Sequence, residues 1–234
     1  MNVLAIDTST SMLGIGLQTD EHYFEMNQDV GLHHTENLLT EVQVLLAKAV
    51  ISVEKLDLIV VSKGPGSFTG LRIGLSTAKG LSFGTGIPLV SVPTLDMHAF
   101  GQSITSTLVV PVMDARKKRV YAAFYKHGKV RGEVLDIKPD LLLQEMSEYN
   151  PILLTGPFAA ELIKIGRNSE IPSENLILDP LHAAPKTFAL LHKGIEMFHQ
   201  RGGDEKRSGP LYIRPSEAEL SLQWGGNEQK TNDS

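Results

Sequence analysis

The chain contains no cysteine. Disulfides, thiolate metal sites and cysteine nucleophiles are therefore excluded together. Aromatic residues are sparse, and Trp224 is the single tryptophan. No apolar run approaches the ~20 residues that cross a bilayer. The opening MNVLAIDTST has no basic segment followed by an apolar one. A cytoplasmic protein without membrane attachment is the expectation. A basic surplus is missing too: 22 Lys and Arg face 27 Asp and Glu, a net charge of −5. Proteins that hold nucleic acid alone usually carry the opposite balance, because counterion release drives their affinity. A local basic patch can still touch RNA; a chain of this charge is not expected to hold it unaided.

What is present is an ordinary globular composition, 41% hydrophobic and 21% charged over 234 residues. That is enough for one large core or two modest ones. The chain is organised around Leu58 to Gly86. Leu58-Ile59-Val60-Val61 reads as a buried strand. Glycine and proline in Ser62-Lys63-Gly64-Pro65-Gly66 then enforce a tight turn. Ser67 or Thr69 can cap a helix reaching about Phe83, with Gly84-Thr85-Gly86 ending it. In that helix Gly70, Gly74 and Ala78 form one row of small residues, and Ser76, Gly80 and Gly84 a second. Each interior glycine costs roughly 0.5–1 kcal/mol relative to alanine. Such a helix gives up stability for the close approach of another backbone.

Three readings of this stretch compete. A glycine-rich turn before a helix can hold an anion, but GxGxxG would require glycine where Thr69 stands, and no GxxxxGK[S/T] can be written. A nucleophile elbow fails because Ser67 lacks flanking glycines and Ser76 lies inside the helix. Close packing without chemistry needs neither pattern.

Along the chain, Val3 to Ile6 is a strand ending at Asp7, and Leu13–Gln18 and Tyr23–Met26 are two further strands joined by a hairpin turn. A helix from about His34 to Val50 carries Leu38, Val42, Leu45 and Ala49 on one face, and Thr35 can cap it. Pro88–Val92 is a strand, and Pro93 opens a helix reaching about Gln102. A second pass follows. Leu108 to Asp114 repeats the apolar strand ending in aspartate, Val120 to Lys126 is its hairpin partner, and Thr155-Gly156-Pro157 echoes Lys63-Gly64-Pro65. Helices at about Pro139–Glu148, Phe158–Ile165 and Pro185–Gln200, strands at Ile152–Leu154 and Leu176–Leu178, and a brief Leu211–Ile213 strand complete it. The repeated order implies duplicated α/β domains with mostly parallel mixed sheets. Residues 1–103 form the first domain and 104–215 the second, and 216–234 are a polar tail expected to be partly disordered. Trp224 in that tail either folds back or serves a partner.

Lys63-Gly64-Pro65-Gly66-Ser67-Phe68-Thr69-Gly70-Leu71-Arg72-Ile73-Gly74 resembles the signature of the TsaB (YeaZ) family, bacterial partner proteins in tRNA threonylcarbamoyladenosine synthesis. Leu4-Ala5-Ile6-Asp7-Thr8-Ser9 and Tyr212-Ile213-Arg214-Pro215-Ser216-Glu217-Ala218-Glu219 are similar to the same family. The likeness runs to about Leu220, and three motifs in order are more specific than any one. It implies the duplicated actin-like ATPase (ASKHA) fold. It also implies a non-catalytic subunit that binds the catalytic paralogue TsaD and supports threonylcarbamoyl transfer to the adenosine beside the tRNA anticodon. The implied partners are TsaD, through it the ATPase TsaE, tRNA only within the complex, and a second copy of the chain when alone. No cofactor of its own is implied; ATP or ADP would sit at the interface of the assembled complex. The alternative is a free-standing actin-fold enzyme, metallopeptidase-like or ATPase/kinase-like.

Candidate sites follow. Leu38, Val42 and Leu45 of the first helix, with Gly70, Leu71, Gly74 and Ala78 of the glycine-rich helix, are the expected partner interface. Asp7-Thr8-Ser9 is either a vestigial phosphate loop, since actin-like folds bind phosphates between two aspartate turns, or a turn held by its own side chains. The turn reading weighs more. Arg116-Lys117-Lys118-Arg119 is either a solvated hairpin turn or a tRNA phosphate contact. No metal site is expected. TsaD carries a His-x-x-x-His pair after the equivalent strand, and the matching positions here are Thr94 and His98. One imidazole of the pair that could chelate a cation is missing.

Overall fold

The computed structural model describes residues 1–31, 33–101, 107–168, 175–205 and 207–214. The tail with Trp224, the Pro215–Glu219 part of the last motif and much of the expected domain boundary lie outside these residues.

Strand β1 (Val3–Asp7) is buried along its whole length, as expected of an apolar run covered on both faces. It pairs antiparallel with β2 (Met12–Gln18), which pairs antiparallel with β3 (Tyr23–Asp29). On its other side β1 runs parallel to β4 (Leu58–Ser62), and β4 parallel to β5 (Leu89–Val92). The sheet order is β3-β2-β1-β4-β5. The second sheet repeats it with β6 (Leu108–Asp114), β7 (Val120–Lys126), β8 (Lys129–Ile137), β9 (Ile152–Thr155) and β10 (Leu176–Leu178), in the order β8-β7-β6-β9-β10. This is the expected duplicated α/β architecture. Each sheet is evenly mixed, because a three-stranded antiparallel meander is joined to two parallel strands.

Strand β8 escapes the sequence reading. Its first residues are exposed, with Lys129, Arg131 and Glu133 among them, so it shows no apolar run; such charged edges deter pairing with other chains. Conversely, the expected Leu211–Ile213 strand is not one; the segment is irregular. The helix opened by Pro93 ends at Ala99.

One face of the first sheet is covered by α1 (His34–Lys48) and α2 (Phe68–Thr85). The matching face of the second is covered by α4 (Pro139–Met146) and α5 (Ala159–Arg167). The remaining faces are covered by exchange. Helix α3 (Thr94–Ala99), from the first half, packs Leu95 and Ala99 on Val109, Met113, Ala123 and Tyr125 of the second sheet. Helix α6 (Thr187–Arg201), from the second half, packs Leu190 and Leu191 among Val3, Ala5, Leu58, Val60 and Val90 of the first. Gly194 makes this approach feasible, since a side chain there would collide with Val60. The expected division of the chain at 103/104 therefore separates the sheets but not the helices that cover them.

Candidate functional site

The two domains face each other across a cleft of about 1010 Å³. One wall holds Ser9–Ser11 and Pro65–Thr69 of the first domain; the other holds Met113–Lys117 and Tyr121 of the second. Both walls begin with an aspartate at the end of a central strand. The Ser9 N–H donates to Asp7 Oδ1 at 3.0 Å, and the Arg116 N–H donates to Asp114 Oδ1 at 2.8 Å. Each is an Asx turn, in which a carboxylate replaces a backbone acceptor.

The two walls differ in what remains available. Asp7, Thr8 and Ser9 are all buried, and burial raises the Asp7 carboxyl, offset in part by hydrogen bonding from Ser9. Thr8 Oγ1 donates to the Gly70 carbonyl at 2.8 Å, and the Ser67 N–H donates to the Ser9 carbonyl at 2.7 Å. A Cβ on Gly70 would collide with the Thr8 carbonyl, and one on Gly74 with the Thr8 hydroxyl. The glycine row thus lets α2 lie directly on the β1 turn. Ser67 caps that helix by accepting the Gly70 N–H, and Gly86 ends it in the left-handed conformation. Thr8 Oγ1, the Asp7 carboxylate and the Ser9 carbonyl all bond within their own domain, while the buried Ser9 Oγ has no hydrogen-bond partner among the described residues.

On the opposite wall Arg116, Lys117 and Lys118 are exposed and occupy left-handed backbone, with φ of 61°, 52° and 58°. For non-glycine residues such conformations cost about 1–3 kcal/mol each and need support from their surroundings. Closure comes from the Ala115 N–H donating to the Arg119 carbonyl and the Arg119 N–H to the Arg116 carbonyl, both at 3.0 Å. The structure divides the four cations. Arg119 turns inward, its Nε donating to Asp136 Oδ1 at 2.6 Å, while Arg116 stands 3.4 Å from Asp114 at the surface.

Residues that the sequence reading did not single out also line the cleft. Arg72 lies with its guanidinium carbon 3.8 Å from the Phe68 ring centroid, and its Nε donates to the Tyr212 hydroxyl at 2.8 Å. Arg214 makes a two-pronged pair with Asp136, with Nη2 at 2.9 and 2.7 Å from the two oxygens. Burial pushes the Asp136 carboxyl up, but bonds from Arg119 and Arg214 outweigh it and leave it below the usual carboxylate range. Arg72 sits inside the glycine-rich motif, where a cation between Leu71 and Ile73 was the available signal. Asp136 had none.

The two positions compared with a metal-binding pair are both buried at the base of α3. Thr94 Oγ1 accepts the Gly64 N–H at 3.1 Å, and the Thr94 N–H donates to the Gly64 carbonyl at 2.8 Å. Its hydroxyl thus anchors the loop before α2. Burial, and after it the Lys186 ammonium, push the His98 pKa down to about 3, so its ring is neutral. Lys186 is itself paired with Asp179 at 2.9 Å. Among the described residues no group of three His, Cys, Asp or Glu side chains is placed to hold a metal.

Leu38, Val42, Leu45, Gly70, Leu71, Gly74 and Ala78 all turn inward, into the first domain's own core and turn. The outward faces of the same two helices carry Leu39 and Val44 on α1, and Ser76, Gly80 and Phe83 on α2. Phe83 is 85% exposed, and among the described residues nothing lies within 4 Å of a Cβ at Gly80 or Gly84. The second small-residue row, not the first, is the open one. Among the described residues no helix is long and apolar enough to cross a membrane.

Comparison with known proteins adds to this geometry. The family model described as TsaD, tRNA N6-adenosine threonylcarbamoyltransferase, matches residues 28–171. The tRNA threonylcarbamoyladenosine biosynthesis protein TsaB of Escherichia coli is 34% identical over 162 residues, covering 64% of this chain and 68% of the relative. That of Bacillus subtilis is 37% identical over 162 residues, covering 67% and 71%. Among solved structures, YeaZ from Pseudomonas aeruginosa superposes with a TM-score of 0.72 at 24% identity, over 90% of this chain and 100% of that one. A second Pseudomonas aeruginosa structure, described by its similarity to peptidase YEAZ, gives 0.74 at 24% identity over 91% and 99%.

Proposed function

The chain belongs to the TsaB family of tRNA threonylcarbamoyladenosine biosynthesis proteins, and from that premise we propose that it is a non-catalytic subunit of the threonylcarbamoyl-transferring assembly. It binds a TsaD-family transferase and supports transfer to the adenosine beside the anticodon. The carrying observation is α3, where Thr94 is committed to the Gly64 backbone and His98 is sealed in the core. That helix offers no chelating pair.

The surface that meets the transferase is the outward face of α1 and α2. Its small residues at Ser76, Gly80 and Gly84 allow another helix to approach toward the near end of the usual ~8–10 Å interaxial range. Leu39 and Phe83 supply apolar area. The inward residues Leu38, Val42, Leu45, Gly70, Leu71, Gly74 and Ala78 hold that face in shape. Without the transferase, the same face pairs with a second copy of the chain, because an open apolar surface tends to self-associate. Arg116, Lys117 and Lys118 reach tRNA phosphates within the assembly, which acts in the cytoplasm with the ATPase TsaE. This chain holds no cofactor of its own, and ATP or ADP belongs to the interface with the transferase.

The free-standing enzyme reading finds less support. A metallopeptidase needs ligands that α3 does not provide, and a kinase needs phosphate-binding groups, whereas Thr8 Oγ1 and the Asp7 carboxylate are bonded within their own domain.

The deciding experiment combines purification with activity. Chain and TsaD paralogue are expected to co-elute, and mass spectrometry of tRNA nucleosides should show the modification only when both are present with the other components. Metal-dependent turnover by the pure chain, abolished in His98→Ala, would overturn the non-catalytic reading.

A further inference from the structure

After α6 the chain runs back along the first domain and crosses to the second. Asp204 accepts the Ser91 N–H at 2.8 Å. The Leu211 N–H donates to the Lys63 carbonyl at 2.7 Å, and the Leu211 carbonyl oxygen lies 2.8 Å from where a Cβ on Gly64 would stand. Tyr212 is held by Arg72, and its ring lies 5.2 Å from that of Phe68. Two residues later Arg214 grips Asp136 on β8, in the other domain. Leu211, Tyr212, Ile213 and Arg214 all line the cleft.

The two ends of this segment are built differently. On the first domain the anchor is a backbone hydrogen bond, close contact with Gly64, and an arginine stacked on Phe68. On the second, among the described residues, it is one side-chain pair, Arg214 with Asp136, whose side chains are 27% and 21% exposed. Opening that pair strands no charge. Asp136 keeps Arg119, whose Nε stays bonded to Oδ1, and Arg214 passes into water. A structural ion pair buried in a core would leave an unpaired charge on opening; this one does not.

We propose that Pro210–Arg214 is a strap that holds the cleft at one width, with Arg214–Asp136 as a releasable clasp. Release lets the two domains rotate about the α3 packing. The basic turn at Arg116–Lys118 then moves relative to the outward face of α1 and α2, because the two surfaces lie on different domains. The proposal concerns this chain alone and holds whether or not the partner reading above is right.

The absence of native cysteine makes the test direct. Spin labels are attached at Thr35→Cys and Glu133→Cys, both exposed and one in each domain. The labelled chain is diluted into excess unlabelled protein, so that only distances within one chain are read by double electron–electron resonance. The parent should give one narrow distance distribution. In Arg214→Ala and in Asp136→Asn the narrow peak should be lost to a broader, shifted distribution, while circular dichroism and the melting transition show both cores intact. Unchanged distributions in both variants would overturn the proposal. Loss of the whole fold in both would overturn it too, since a clasp is dispensable to the cores it joins.

Discussion

Thr8 crowds the space that a side chain at Gly74 would need: its hydroxyl, which donates to the Gly70 carbonyl, stands within clashing distance of where a Gly74 Cβ would be. The helix glycines and the first strand's turn are therefore one fitted unit, and neither can change alone.

The first prediction follows. Gly74→Ala gains about 0.5–1 kcal/mol of helix propensity but meets an overpacking cost of about 1–3 kcal/mol. A net loss is expected in urea unfolding, and Gly74→Leu should fail to fold. Thr8→Ala in the Gly74→Ala background should recover part of the loss, with the pair coupled by about 0.5–3 kcal/mol. Additive effects would show that the two residues do not share this space.

A second prediction separates the open row from the closed one. A Cβ at Gly80 meets nothing within 4 Å among the described residues, so the melting temperature of Gly80→Arg should stay near the parent's. Association with the transferase, and with a second copy, should be lost in size-exclusion chromatography with light scattering. A folded variant that still associates would remove this face from the interface.

For the basic turn, reversing Lys117 and Lys118 to glutamate should weaken tRNA binding by the assembled complex. It should also reduce the slope of log K against log salt by about 0.7–0.9 for each phosphate that the turn no longer neutralises. Arg119→Ala should act on stability instead, because Arg119 is tied to Asp136. An unchanged slope in the double reversal returns the turn to a solvated hairpin.

His98 predicts a pH dependence. Its pKa is lowered in the folded state to about 3 from a reference value of 6.5, so between these values the unfolded chain binds a proton that the folded chain does not. Stability should fall as the pH drops through that window, by about 1.4 kcal/mol per pH unit for one proton. His34 and His192, also lowered by burial, act in the same direction. In His98→Gln the slope should lessen by one proton's share; an identical slope would show that His98 is not the group responsible.

Much of the first domain was legible because its signals are local. The Leu58–Val61 run, the Gly64–Gly66 turn and the Ser67 cap each follow from a few adjacent residues, and each forms as read. The direction in which the glycine row faces was not legible. Both small-residue rows of α2 read alike, and only the tertiary position of Thr8 shows that Gly70 and Gly74 turn inward. Strand β8 was hidden because its exposed edge needs no apolar side chains. The Asp136–Arg119–Arg214 cluster joins residues 17 and 78 positions apart, and neither spacing follows any helix or strand period.

The helix exchange between the halves also bears on how the chain unfolds. Neither sheet can shed its cover without the other half coming apart as well, since α3 lies on the second sheet and α6 on the first. A chain whose halves were independent would melt in two steps, and either half could be produced alone. Here each half, cut free, would carry one helix with nothing to cover and one sheet with a bare face. The two duplicated units therefore form a single cooperative unit, and two fragments divided between β5 and β6 should regain structure only when mixed.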